Sequence, residues 1–414
     1  MALDIVVIGA GPAGLCFART LAGSGLRIVL VERQSEALLA EPPDDGREIA
    51  ITHATQRSMH ELGLWARLHT QEISTLRDAK VMDGDGRHSL MFRHEESGKP
   101  QLGWLISNYA IRRAAYAEAS RLADVQLISG VRATAVHTHA QGAEVVLDNG
   151  DLLQAGLAVA ADTRHSQMRR SMGIAASKHD FGKVMLVVRI RHEAPHEQVA
   201  WEWFGYGQTL ALLPLYDAHT SSVVVTLAPP QMQALLALDD SAFAAALAER
   251  FQNRLGAMQV AGPRCAYPLV GVYADCFVGQ CFALIGDAAV GMHPVTAHGF
   301  NFGLLGVMTL ARELRAAQAS GCPFWGAEAL ERYERIHRCA TRPLYLLTQM
   351  LASMYTDDHG PAWVLRKLVL GAGARLPPFR RAVVARLTDD RQDLAMPKPP
   401  FHWARRASRQ MRIC

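Results

Sequence analysis

No stretch of this sequence is long and apolar enough to cross a bilayer, which takes roughly 18–20 consecutive residues. The best candidate, Tyr345 to Tyr355, is interrupted by Thr348, Gln349 and Ser353. Charge of one sign is not in excess either. The 43 Lys and Arg against 39 Asp and Glu leave a net charge of +4, which gives no reason to expect nucleic acid as a partner. The seven cysteines show no CxxC pair and no framework spacing, so free thiols in a reducing compartment are expected. No charged leader with an apolar core and a small-residue cleavage site opens the chain, and the expected location is the cytoplasm. A Ser-His-Asp set, a metal-spaced His/Cys cluster and a clear carboxylate pair are also missing, so no metal is expected and side chains alone offer no evident chemistry. What remains is a globular balance, 50% hydrophobic and 20% charged over 414 residues, enough for two or three folded units.

The informative residues begin at once. Residues 4–8 (DIVVI) form a β-rich run, and Gly9, Gly11 and Gly14 follow in GxGxxG spacing. A helical stretch then runs through Phe17, Ala18 and Leu21 to Gly23 and Gly25, and a second strand from Arg27 to Val31 ends at Glu32. This is a complete βαβ unit with an acid where ribose hydroxyls would sit. Gly9 permits the tight turn, Gly11 lets the backbone approach a pyrophosphate, and Gly14 allows close helix–strand packing. Pro12 and Ala13 open the helix, whose N-terminus offers unpaired N–H groups to phosphate. The fingerprint alone does not choose between NAD and FAD. GYGQTL at 205–210 and GAGARL at 371–376 both lack the final glycine, so a single dinucleotide fold is expected.

A second glycine-punctuated segment, ALIGDAAVGMHPVTAHGFNFG, lies far away at residues 283–303. Residues 281–285 read as a buried strand ending at Gly286-Asp287, Pro294 fixes a turn, and a helical pattern starts near Gly299. Asp287 suits a polyol hydroxyl, and the helix N-terminus suits a partly negative carbonyl edge. FAD is long enough to need separate segments at its ADP and flavin ends, which accounts for both.

Four motifs now carry a resemblance: VIGAGPAGL with Glu32, GREIAIT at 46–52, ADTRHSQMR at 161–169 and GDAAVGMHPVTAHGFNFGL at 286–304. Across most of residues 1–345 the chain resembles the class A flavoprotein aromatic hydroxylases, and within them the ring hydroxylases of ubiquinone biosynthesis. The resemblance implies an α/β fold with a Rossmann-like FAD-binding domain, an antiparallel-sheet substrate domain and a helical C-terminal region. The expected division is FAD-binding at 1–72, 98–174 and 268–345, a substrate-domain excursion at 73–97, the substrate sheet at 175–267 and a helical basic region at 346–414. It further implies that Arg33 joins Glu32 at the ADP end, that Arg47 approaches the FAD phosphates and that Asn108 sits near the flavin or ribityl chain. Asp162 would support the pyrophosphate and the reduced nicotinamide site, and Asp287 the ribityl. Pro294 and the backbone of Gly299, Phe300 and Asn301 would border the flavin, with His298 beside it. The chain departs from the family at Thr163, Ala297-His298 and Gly306, which stand where glycine, a Gly-Gln pair and an acid are usual.

Residues 183–190, 201–205, 209–216 and 221–228 read as strands with short turns between them, and a helix is expected from about Ser241 to Leu255. Trp201 and Trp203 share one face of their strand, either lining an aromatic site or packing in a core. Lys80 reads as part of a strand. After Asp393 no acid remains, while Lys398, Arg405, Arg406, Arg409 and Arg412 surround Phe401 and Trp403. That pattern suits an anionic lipid surface at the inner membrane, a partner helix in a quinone-biosynthesis assembly, or plain solvation.

The chemistry implied by the resemblance is flavin monooxygenation. FAD, reduced by NAD(P)H or another donor, would take up molecular oxygen as a hydroperoxide and hydroxylate a polyprenylated phenol or quinol. Action at several ring positions is included. A halogenase or prenyl-chain reductase of the same fold, or a non-catalytic FAD-binding subunit, remain the alternatives.

Overall fold

The computed structural model describes residues 3–84, 88–205, 207–293 and 299–356, together with Val384 and Thr388. Pro294, Ala297, His298 and most of the basic C-terminal region lie outside the described residues.

The first sheet is built on strand β1 (Leu3–Ile8), helix α1 (Pro12–Leu21) and strand β2 (Ile28–Glu32). β1 pairs in parallel with β2 on one side and with strand Leu152–Ala160 on the other. Strand Val125–Ser129 extends the sheet beyond β2, and strand Phe282–Leu284 extends it beyond Leu152–Ala160, again in parallel. Both faces are covered, so the strands read as continuous apolar runs: Ile5, Val6, Val7 and Ile28 to Val31 are all buried. Gly9 follows β1 at φ 107°, a backbone conformation open to glycine and strained for other residues. A Cβ at Gly14 would stand 2.0 Å from the carbonyl oxygen of Gly9, so only glycine lets α1 lie this close to the turn.

The second sheet has nine strands around the 17-residue strand Ala176–His192. That strand pairs antiparallel with Thr220–Leu227 and with Cys265–Ala274, with a register shift between Asp180 and Val184. Strands Thr209–Pro214 and Val199–Phe204 follow in antiparallel order. One pairing breaks that pattern: Val199–Phe204 runs parallel to Asp78–Asp83, the strand that contains Lys80. Parallel neighbours need a long crossover, and here the chain between them runs through the middle part of the first unit. The 73–97 excursion is shared between sheets. Its first strand, Ile73–Leu76, pairs with Gly103–Ser107 in a small three-stranded sheet, whereas Asp78–Asp83 and His88–Phe92 join the large one.

Alternation along the second sheet sorts its side chains. Leu186, Val188, Ile190, Leu210, Leu212, Val223 and Val225 pack under helices Pro229–Leu236 and Asp240–Arg250. The first of those helices was not expected from sequence, because its Pro-Pro start reads equally well as a turn. The opposite face, with Met185, Val187, Ala211 and Val224, looks toward the first unit. Helices Gly299–Ala319 and Ala327–Thr356 complete the first unit. The second continues through Pro343, so the expected division at 345/346 falls inside a helix. Val384 is buried against Leu90, Phe92 and Leu102 at the edge of the excursion.

Candidate FAD and substrate site

Three strand ends converge at the carboxyl edge of the first sheet, where ligands bind in open α/β folds. β1 leads to Gly9, Leu152–Ala160 leads to Asp162, and Phe282–Leu284 leads to Gly286 and Asp287. Backbone bonds hold them level: Ala161 N donates to Ile8 O at 2.8 Å and Ile285 N to Ala160 O at 3.0 Å. Gly286 packs so tightly on α1 that a Cβ there would be 2.8 Å from the Cβ of Ala13. The two glycine-rich segments, separated by some 270 residues of chain, therefore touch.

A cavity of about 890 Å³ opens at this convergence and extends to the inner face of the second sheet. Gly9, Gly11, Pro12, Ala13, Glu32, Arg33, Arg47, Asn108, Asp162, Gly286, Asp287, Gly299 and Phe300 all line it. Gly14 does not line it; its role is the packing that lets α1 approach. A Cβ at Gly11 would meet no protein atom within 4 Å, so the space above Gly11 is open to a ligand. Glu32 is fixed at the end of β2, with Oε2 accepting from Ala10 N at 2.8 Å and Oε1 from Gln34 N at 3.0 Å.

Asp162 carries the clearest vacancy of bonding. Its Oδ2 accepts from Gln167 N at 2.9 Å, but its Oδ1 is buried with no partner. A buried acceptor without a donor costs about 1–3 kcal/mol, and a hydroxyl-rich ligand would offset that. Thr163 replaces the usual glycine without positive φ; its Oγ1 accepts from His165 N at 3.2 Å and closes the turn by side chain instead. Asp287 faces Arg164, whose guanidinium lies 3.1 Å away and also donates to Val270 O.

Arg47 and Asn108 meet on a residue that sequence reasoning passed over. Arg47 Nε donates to Asp45 Oδ2 at 2.9 Å, and Asn108 Nδ2 donates to the same oxygen at 2.7 Å. Tyr267, from the second sheet, donates to the Asp45 carbonyl at 2.7 Å. Arg112, one helical turn after Asn108, also lines the cavity and donates to Gln34 Oε1 at 3.1 Å. Its i, i+4 spacing from Asn108 was the available signal.

Asn301 is turned the other way. Its Oδ1 accepts from Thr52 N at 3.2 Å and its Nδ2 donates to Ala50 O at 2.8 Å, tying the start of helix Gly299–Ala319 to strand Glu48–Ile51. At Gly306, where relatives of the expected family carry an acid, the buried His337 ring fills the space: a Cβ would be 2.8 Å from its Nε2. Burial pushes His337 down to about 4, so it is neutral.

Trp201 and Trp203 face the helices, away from the cavity. Trp203 Nε1 donates to Gly84 O at 3.0 Å, and Arg254 lies 4.7 Å over its ring. The apolar run 210–215 is likewise divided, with Ala211 and Leu213 lining the cavity while Leu210 and Leu212 are core. Between the two tryptophans, Glu202 faces the cavity, and burial alone raises its carboxyl to about 8. Among the described residues no group of three or more His, Cys, Asp or Glu could hold a metal ion.

The donor set fits a flavin dinucleotide: open space over Gly11, an orphaned acceptor at Asp162, a fixed acid at Glu32 and a helix start at Gly299. The family described as FAD binding domain matches residues 2–338. The ubiquinone hydroxylase UbiM of Neisseria meningitidis serogroup C is 43% identical over 93% of this chain and 84% of its own length. The ubiquinone hydroxylase UbiL of Rhodospirillum rubrum is 33% identical over 91% of this chain and 87% of its own. Among solved structures, p-nitrophenol 4-monooxygenase from Pseudomonas putida superposes with a TM-score of 0.75 at 17% identity, covering 94% of this chain and 99% of that one.

Proposed function

The chain belongs to the FAD binding domain family, among the class A flavin hydroxylases of ubiquinone biosynthesis, and from that membership we propose that it hydroxylates the aromatic ring of a polyprenylated phenol or quinol precursor of ubiquinone. The observation that carries the reading is a single cavity with a dinucleotide cradle on one wall and a largely apolar sheet on the other. Bound FAD, reduced by NAD(P)H, supplies the activation of molecular oxygen.

The protein's own residues would bind, orient and exclude. Gly9, Gly11 and the N–H groups opening α1 would receive the pyrophosphate, with Arg112 and Arg33 nearby, while Glu32 would accept from ribose hydroxyls. Arg47 would leave Asp45 for a phosphate, a stronger anionic partner. Asp162 and Asp287 would hold the polyol. The start of helix Gly299–Ala319 would place its positive end toward a partly negative ring edge. Met185, Val187, Phe204, Ala211, Leu213 and Val224 keep water from the reacting ring and match an isoprenoid substituent.

Support for peripheral membrane contact is separate. Among the described residues no helix is long and apolar enough to cross a membrane. Leu346, Leu347 and Met350 nevertheless stand 46–55% exposed on helix Ala327–Thr356, and the acid-free basic segment with Phe401 and Trp403 follows. Lipid-borne substrate would be met there.

The test is a bacterial strain lacking its own ring hydroxylases, given this gene and grown under labelled oxygen. Labelled hydroxyl or methoxy oxygen in the recovered ubiquinone is expected. Unchanged accumulation of the unhydroxylated precursor, with FAD-loaded protein present, would refute the reading.

A further inference from the structure

Glu202 is a carboxyl in a place that does not need one. It sits in strand Val199–Phe204, paired with Ala211 on one side and Val81 on the other. The side chains before and after it, Trp201 and Trp203, pack in the helix-covered core, so alternation sends Glu202 into the cavity beside Phe204. The described part of the wall around it includes Met185, Val187, Ala211, Leu213 and Val224, with the hydroxyls of Thr209 and Thr226. Among the described residues no hydrogen-bond or ion-pair partner meets the carboxyl. The residue is half-buried, facing the cavity, and apolar packing would be more stable there, because a carboxyl that gives up water without gaining a partner is a net cost.

We infer that Glu202 binds the ring hydroxyl of the substrate and takes its proton as the ring is oxygenated. The inference rests on the hydroxylase reading. The phenol or quinol O–H bond breaks, the proton passes to a Glu202 Oε, and the electron pair stays on the ring oxygen. That oxygen then pushes electron density to the ring carbons ortho and para to it, the positions an electrophilic oxygen attacks. The carboxylic acid returns its proton to the product oxygen or to water, so Glu202 ends each cycle unchanged. A base titrating near the working pH combines a useful deprotonated fraction with useful basicity, and burial places Glu202 there, at about 8.

The surrounding charges do not set that position. Strand Thr209–Pro214 carries no titratable side chain. Asp78, Lys80 and Asp83 come from the strand on the other side, Lys183 from strand Ala176–His192, and Arg254 lies behind the sheet over Trp203. Across the cavity stand Tyr267, Glu48, Arg47, Arg164, Asp287 and His293. None contributes to the shift, whose only cause is burial. Raising the pH through about 8 therefore converts Glu202 from the acid to the carboxylate, the form that accepts.

The experiment uses the FAD-loaded protein with wild-type Glu202, Glu202→Gln and Glu202→Leu. Para-cresol and its methyl ether are bound to the oxidised enzyme, read by the change in flavin absorbance. Wild type should prefer the phenol by about tenfold, as expected for a hydrogen bond to a charged group, and the preference should grow as pH rises through about 8. Glu202→Gln should lose the pH dependence and Glu202→Leu the preference. In turnover of a short-chain prenylated phenol, Glu202→Gln should lower kcat by about 100-fold or more. A wild-type preference that is independent of pH, or that survives in Glu202→Leu, overturns the role of Glu202. So does a Glu202→Gln kcat close to wild type. A wild-type enzyme that shows the binding preference but forms no hydroxylated product refutes the hydroxylase reading and leaves Glu202 as the phenol-binding group.

Discussion

Replacing Asn301 by leucine should cost this protein much of its stability although Asn301 is not among the described residues that line the cavity. Asn301 is buried and spends its amide on two backbone groups of another element, Thr52 N at 3.2 Å and Ala50 O at 2.8 Å. Leucine is nearly isosteric, so little volume changes. What changes is that a buried donor and a half-buried acceptor lose the partner Asn301 gave them. Each such loss costs about 1–3 kcal/mol, so together the expected loss is roughly 2–6 kcal/mol. Aspartate is the sharper probe: it can still accept from Thr52 N but sets a carboxylate oxygen against the Ala50 carbonyl. Urea unfolding of the FAD-free protein measures both, as a lowered midpoint at unchanged slope. FAD affinity should fall as well, because strand Glu48–Ile51 and the helix starting at Gly299 are aligned by this amide. If the leucine variant unfolds within about 0.5 kcal/mol of wild type, the range of an ordinary surface substitution, Asn301 does not fasten the helix.

Gly11→Ala and Gly14→Ala should separate folding from cofactor binding. The first adds a methyl that meets no protein atom, leaving FAD-free stability intact while FAD affinity, followed by flavin fluorescence on dilution, drops about tenfold or more. The second forces a carbon to within 2.0 Å of the Gly9 carbonyl and should lower stability itself. Trp203→Phe removes the bond to Gly84 O and weakens the Arg254 contact, costing about 1–3 kcal/mol in unfolding experiments while KM for the ring substrate stays unchanged, since the indole faces away from the cavity. If the basic segment after Asp393 meets anionic lipid, vesicle binding should weaken as salt rises, because exposed charges are screened beyond about 8 Å at physiological ionic strength. Salt-independent sedimentation with vesicles, or none, would remove the lipid role.

Local rules carried the sequence reading a long way. Gly9, Gly11, Gly14 and Glu32 follow from strand, turn and helix within 32 residues, and Gly286-Asp287 from a strand end. Alternation between Trp201 and Trp203 already aims Glu202 at the other face, and helical spacing from Asn108 already marks Arg112. The contacts that spacing cannot express were missed. Nothing near residue 286 announces that it will touch Ala13, and nothing near residue 78 that it will pair in parallel with residue 199. The direction of the Asn301 amide depends on a strand 250 positions earlier. Asp45 stands in Asp-Asp-Gly, an ordinary turn sequence, and nothing in it announces that Asn108, 63 positions later, will share its carboxylate with Arg47 or that Tyr267 will reach its carbonyl from the other sheet.

The interleaving of the two sheets has a consequence for how such a chain is made. The first sheet needs residues from 3 to 160 and again from 278 to 284, while the second needs 78–92 and then 176 to 291. A nascent chain leaving the ribosome can close neither until its last third has emerged. Strand Asp78–Asp83 must wait for more than a hundred residues before Val199–Phe204 exists to cover it. Pairings of such sequence separation fold slowly and leave strand edges open meanwhile. Splitting the gene at any expected domain border before residue 291 would therefore yield fragments with an unfinished sheet, and this enzyme should depend on chaperones during synthesis more than a tandem two-domain protein of equal length.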